Sequence, residues 1–269
     1  MASLANSKEI TRLFQAGADI VMLEVSGLCQ APLCPFSLDD IEKIAASTHE
    51  QGKQIFVLAD MTVTEDELDR VKKNMERLLS CKANRIVCYD FTFAILAAKA
   101  GMANRIIYAP NTLITHSRLA NFYKKTGLAG MVVSESLSAA EILSVCKKSE
   151  GLEIGAVLSG HREIYRSRRH HVTAYIAHNR IQNPTPEFSS GYAVMEKQRQ
   201  NSFYPLIENT NGTVIIDAGM SCPDWLTPEL AEALTYGFIS RRNIELTDYI
   251  EMLNKIKSTV LLQKAGDVS

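Results

Sequence analysis

Neither sign of charge dominates this chain: Lys+Arg 29 stand against Asp+Glu 30, for a formal net charge of -1 over 269 residues. A global attraction to nucleic acid or to a membrane surface is thereby excluded, and any such contact has to come from a local patch. No apolar run approaches the roughly 20 residues that span a bilayer, and MASLANSKEITRLF lacks a basic stretch followed by an apolar one. The expected setting is the cytoplasm, without membrane contact. The six cysteines (29, 34, 81, 88, 146 and 222) form neither a CxxC pair nor a small disulfide framework, so reduced thiols are expected. No glycine-rich phosphate loop follows a β-prone run, and neither HExxH nor GxSxG occurs. Ser159-Gly160-His161 supplies no strained turn and no third member, which leaves a serine triad unsupported.

What is present is a large apolar fraction, 46%, enough for a sizeable core. Mostly continuous apolar runs at 20–25, 54–59, 85–89, 105–108, 130–133 and 152–158 predict strands covered on both faces, hence parallel ones. Between them lie amphipathic segments with readable ends. Thr64-Glu65-Asp66-Glu67 and Ser138-Ala139-Ala140-Glu141 have the form of capping boxes, and Gly52 and Gly151 suit left-handed helix ends. Thr227-Pro228 predicts a further helix start, with Gly237 as its end.

Strand and helix alternate with a unit of about 25 residues, which predicts a right-handed βα series and an α/β, TIM-barrel-like fold. Six units precede residue 159, and a strand near 238–242 with a helix at 247–257 makes a seventh. The opening MASLA then either supplies a rudimentary eighth strand or leaves the barrel incomplete; a doubly wound sheet is the alternative. The whole chain, 1–269, reads as a single barrel-like domain, with residues 159–224 as an excursion from the C-terminal end of a late strand.

In that excursion the apolar strand is expected to break at Gly160 into a dense basic cluster. Residues 160–180 hold Arg162, Arg166, Arg168, Arg169 and Arg180 with His161, His170, His171 and His178, and Glu163 is the one acid. Asn211-Gly212 between two β-rich runs predicts a hairpin. Guanidinium groups grip phosphate through paired hydrogen bonds, so the cluster suits RNA or a small anionic metabolite, and Tyr165 and Tyr175 can stack on unpaired bases. The competing reading is a solvated loop whose arginines pair with acids elsewhere. Glu135 and Asp90, at strand ends, are candidate catalytic acids together with Glu163; the alternative for the first two is a helix cap. Glu163, His170 and Cys222, with His171 or His178, are weak candidates for a metal site, and Cys222 with His170 for a nucleophilic dyad.

The pieces GADIVMLEVSG, THEQGKQIFVLADM, RIVCYD, IIYAPNTLITHS, GMVVSESLSAAEI, EIGAVLSG and YPLIENTNGTVIIDAGMSC resemble, in this order, the U32 peptidase or collagenase-like family. The resemblance implies a modified TIM barrel. It also implies kinship with RNA and quinone hydroxylation proteins that hold a [4Fe–4S] cluster on four cysteines and use prephenate-linked chemistry. In the family pattern those cysteines fall at Glu163, His170, Asn183 and Cys222, so three of the four are replaced here. A [4Fe–4S] cluster takes soft thiolates, normally four. No cofactor is therefore expected on this chain alone, the cluster being confined to a partner. The chain resembles the short branch found as paired, unequal subunits in tRNA uridine hydroxylation, which implies a cysteine-complete U32-like partner and tRNA as ligand. Peptide hydrolysis of the collagenase-like type and a noncatalytic partner module are the other readings the resemblance allows.

Overall fold

The elements follow the capping chemistry and the strand pattern closely. The computed structural model describes residues 1–111, 113–182, 191–221, 223–242 and 244–266. In chain order the elements are β1 (Ala2–Ser3), α1 (Ile10–Gln15), β2 (Ile20–Val25), β3 (Pro35–Phe36), α2 (Leu38–His49), β4 (Gln54–Ala59), α3 (Leu68–Ser80), β5 (Arg85–Cys88), α4 (Phe91–Lys99), β6 (Ile106–Tyr108), α5 (Ser117–Lys124) and β7 (Gly130–Val132). They continue with α6 (Ala139–Lys148), β8 (Glu153–Ser167), α7 (His171–His178), β9 (Tyr192–Glu196), β10 (Arg199–Asn209), β11 (Gly212–Ser221), α8 (Pro228–Ala233), β12 (Tyr236–Ile239) and α9 (Leu246–Gly266).

Both capping boxes form, Thr64 with Glu67 and Ser138 with Glu141, each satisfying backbone donors that the first helical turn leaves open. Ser138→Ala removes the acceptor for Glu141 N–H. The expected cost is about 1 kcal/mol, read as a melting temperature lower by roughly 2–4 °C.

The chain divides into two compact units, Met1–Ser159 with Cys222–Ser269, and Gly160–Ser221. In the first, β12, β1, β2, β4, β5, β6, β7 and β8 pair side by side, all in parallel, and β12 pairs with β8 as well. The sheet is therefore a closed eight-stranded barrel, neither incomplete nor doubly wound. Its closing strand is β1, only two residues long, with Ala2 paired to Val21 on one side and Ile239 on the other. Strand alternation sorts the apolar side chains into two cores. Ile20, Phe56, Leu58, Val87, Ile107, Val132 and Phe238 fill the barrel, while Val21, Leu23, Ile55, Val57, Ile86 and Ile154 pack outward under the helices.

Two expectations need correction. Gly237 does not end the helix that Thr227 caps: α8 stops at Ala233, and Gly237 lies within β12, where a Cβ would come within 2.3 Å of Leu158. Nor does the strand break at Gly160. β8 runs on through Gly160 to Ser167, and the φ of Gly160, 123°, is a value that favours glycine.

The second unit is an antiparallel sheet in the order β8, β11, β10, β9, with α7 following β8 in the chain. The expected hairpin is present, Asn209 facing Gly212 across the turn. Gly212 has φ 116°, and a Cβ there would come within 2.1 Å of the Ser167 carbonyl, so the turn needs this residue on both counts. Among the described residues no helix is long and apolar enough to cross a membrane.

Candidate functional site

In parallel barrels the strand C-termini carry the chemistry. Here the ends of β5, β6 and β7 bring Tyr89, Asn111 and Glu135 to an otherwise apolar cavity of about 30 Å³. Asn111 holds φ 52°, a left-handed value sparse among non-glycine residues and concentrated at turns and functional sites. Glu135, expected at a strand end, lies at this cavity. Asp90, also just past its strand, takes the alternative role, a helix cap. Val87 and Tyr89 face the barrel, so alternation turns Asp90 toward the helix layer, where Oδ1 accepts from Thr92 N–H (2.9 Å) and Oδ2 from Val63 N–H (2.9 Å). It is the N-cap of α4, both oxygens engaged by backbone.

Two buried acids in the same end of the barrel escaped the sequence reading. Glu24 shares strand parity with Ile20 and Met22, and Asp60 with Phe56 and Leu58, so both belong to the interior-facing set. Glu24 Oε2 accepts from Leu33 N–H (2.6 Å) and Cys34 N–H (3.0 Å), and Asp60 Oδ1 accepts from Gln30 N–H (2.8 Å). Arg242, following β12, donates to the Ala31 carbonyl (2.6 Å) and lies 3.7 Å from Glu24. Together these groups pin the 28–34 loop to the ends of β2, β4 and β12. Burial raises the Glu24 pKa; Arg242 and the Cys34 N–H oppose the rise, Asp60 adds to it, and the Leu33 N–H opposes it. Cys29, whose Sγ donates to the Leu58 carbonyl (3.0 Å), is pushed well up by burial and by Asp60 and Glu24, so it stays a thiol. A signal for both acids exists in the sequence: a carboxylate at an inward position of an apolar strand.

The basic cluster occupies the second unit and is only partly displayed. Arg166 grips Glu163 with both ends of its guanidinium, Nε to Oε1 at 2.6 Å and Nη2 to Oε2 at 2.7 Å. Residues three apart in a regular strand face opposite ways. Here a bulge does the alignment: Tyr165 pairs with Ile215 and Glu163 with Ile216, leaving Ile164 over. Glu163 is thus a neutralised structural acid rather than a free catalytic one. Arg168 is half-buried, while Arg162, Arg169 and Arg180 are exposed, as are His170, His178 and Tyr175, the last at 64%. Tyr165 is exposed too, its hydroxyl 2.8 Å from His171 Nε2.

Helix α7 presents this surface and is capped from a distance. Glu208 accepts from Val172 N–H (2.8 Å) and Thr173 N–H (3.0 Å) and from the Thr173 hydroxyl (2.6 Å), placing a carboxylate on the positive end of the helix. Burial would raise the Glu208 pKa, but hydrogen bonds from Thr173 and Thr213 and the N–H groups of Thr173 and Val172 outweigh it and hold it below the ordinary value. The stabilisation is complete above the unfolded value of about 4.3. It is lost as pH falls through the lower folded value. Hydrogen-exchange protection of the α7 amides is expected to decline through that window, and Glu208→Gln to start lower and lose this pH dependence.

Residues 5–258 match the sequence profile described as Peptidase family U32. The chain belongs to peptidase family U32. Among solved structures, that of the U32 peptidase Mk0906 aligns over 90% of this chain and 92% of its own, with TM-score 0.53 and 12% identity, a likeness of fold. A thiamine phosphate pyrophosphorylase from Pyrococcus furiosus aligns over 97% of this chain and 94% of its own, with TM-score 0.47 and 9% identity. No curated protein matches.

For a U32 chain the resemblance places cluster cysteines at residues 163, 170, 183 and 222, and the residues present do not suit a [4Fe–4S] cluster. Glu163 offers hard oxygens already held by Arg166, His170 is an exposed imidazole, and Asn183 is no thiolate. Asn183 and Cys222 lie outside the described residues. Among the described residues no three His, Cys, Asp or Glu side chains converge as a metal site.

Proposed function

We propose that this U32 chain is a cluster-deficient subunit that works beside a cysteine-complete U32 partner on RNA, with tRNA uridine hydroxylation as the reaction. The observation that carries the reading is the exposed surface of the second unit. Arg162, Arg169, Arg180 and His178 stand out with Tyr175, while the acid of the cluster is taken up by Arg166. Exposed guanidiniums suit phosphates, and an exposed aromatic among them suits an unpaired base. A small anionic metabolite is a second ligand for the same groups.

Redox chemistry falls to the partner in this reading, and this chain supplies RNA contacts. Filter binding of tRNA to the chain with its partner tests it: affinity should fall steeply with salt and exceed that of the partner alone. Equal binding with and without this chain refutes the RNA role. Turnover of peptide or gelatin that vanishes in Cys222→Ala or Glu163→Gln would put hydrolysis in its place.

A further inference from the structure

The antiparallel sheet of the second unit ends in an edge that the RNA reading does not use. In the order β8, β11, β10, β9 the last strand lies farthest from β8, which carries Arg162 and Arg166. Among the described residues β9 pairs with β10 alone, so the N–H and C=O groups on its outer side are left to solvent or to another chain. Folded proteins blunt such edges with proline, lysine, bulges or very short strands. Tyr192–Glu196 holds no proline and no lysine, and its five residues are an ordinary strand length. The irregularity in its ladder falls between Arg199 and Phe203 of β10, so Tyr192 to Met195 keep a regular register against Leu206 to Phe203.

The edge is apolar on both faces. Met195, 50% exposed, lies opposite Phe203, 48% exposed, on one face, and Val194, 41% exposed, lies opposite Tyr204 on the other. A regular edge of this kind is a template for one more strand. The sequence of β9 selects which. Tyr-Ala-Val-Met-Glu, laid antiparallel on itself about its centre, sets Val194 against Val194 of a second copy, Ala193 against Met195 and Tyr192 against Glu196. A small residue thus meets a large one, and the one charge meets no like charge. The rows also continue into each sheet, with Tyr204 flanking the valine pair on one face and Phe203 and Pro205 flanking the Met195 and Ala193 pairs on the other.

We propose that two copies of this chain associate through β9, joined antiparallel about a twofold axis at Val194 into one continuous sheet. The inference stands apart from the RNA reading, since neither requires the other. With one five-residue strand on each side the contact belongs to the small, weak class of interfaces, and a dissociation constant of roughly 1–100 μM is expected. Sedimentation velocity of the full chain, over concentrations spanning that range, should show conversion from the mass of one chain to twice that mass. Val194→Lys sets two ammonium groups face to face across the axis and should raise the dissociation constant by at least about tenfold. Val194→Cys should form an intermolecular disulfide on mild oxidation, because directly opposed residues of antiparallel strands stand about 4.5–5.5 Å apart at Cα, within disulfide reach. Lys197→Cys, about 20 Å from its counterpart in this register, should link no more than the parent chain. A chain that stays monomeric throughout, a dimer undiminished in Val194→Lys, or equal linking of the two cysteine variants overturns the proposal. Hydrogen-exchange protection of the Ala193 to Met195 amides that arises only with the U32 partner would assign the edge to that partner and equally overturn self-pairing.

Discussion

Arg242→Ala is expected to destabilise the barrel by about 3–5 kcal/mol, the cost of leaving a buried charge without its partner. The charge is that of Glu24, 5% exposed, and the same substitution also removes the hydrogen bond that holds the Ala31 carbonyl. On a chain of this size the loss amounts to a melting temperature lower by roughly 10 °C. The effect has a pH signature. In the parent chain Glu24 titrates above its ordinary value because burial outweighs Arg242, so its contribution to stability falls as pH rises from about 4.3 through the folded value. Without Arg242 the folded value moves higher still, and the deficit should widen from pH 5 to pH 8. Glu24→Leu with Arg242→Leu is expected to be less damaging than Arg242→Ala, since no lone charge remains. Thermal melts of the three proteins at the two pH values check this; a pH-independent deficit would mean that the missing hydrogen bond to Ala31, and not the lone carboxylate, sets the cost.

Reversing Arg162, Arg169 and Arg180 to glutamate together is the substitution expected to affect RNA binding most. Each phosphate left without its cation lowers the salt slope of log K by about 0.7–0.9. With three such phosphates the slope should fall by about 2 and the affinity at low salt by about 10²–10³-fold. The three arginines are exposed, so circular dichroism and the melting temperature should hardly change. Arg166→Glu is the contrasting control. It sets two carboxylates together at a site where both side chains are at most 17% exposed, and should unsettle the second unit itself rather than RNA binding alone. Triple-variant binding equal to the parent's would mean that the basic surface does not hold RNA.

Much of the barrel was legible because its signals are local. Apolar runs at a regular spacing and two capping boxes mark βα units without reference to the rest of the chain. What was not legible depends on distant partners. β1 is too short to carry a pattern, and only its pairing with β2 and β12 makes it a strand. The second half of β8 is a basic, polar stretch held as a strand by β11, so the sequence alone suggests a break at Gly160. Helix α7 lacks a local side-chain cap; its cap is Glu208, 36 residues from Val172. The Glu163–Arg166 pair depends on a bulge at Ile164 that no residue spacing announces. By contrast, the roles of Asp90 as a cap and of Glu24 and Asp60 as interior acids follow from strand parity, which separates Tyr89 from Asp90 and groups Glu24 with Met22.

The central claim, that this U32 chain serves RNA modification without a cluster of its own, is tested most directly by nucleoside analysis of tRNA. Bulk tRNA from cells lacking this chain, and from cells carrying the Arg162, Arg169 and Arg180 reversals, should show hydroxyuridine strongly reduced and restored by the parent chain. Unchanged hydroxyuridine in both strains, with the partner present, would contradict it.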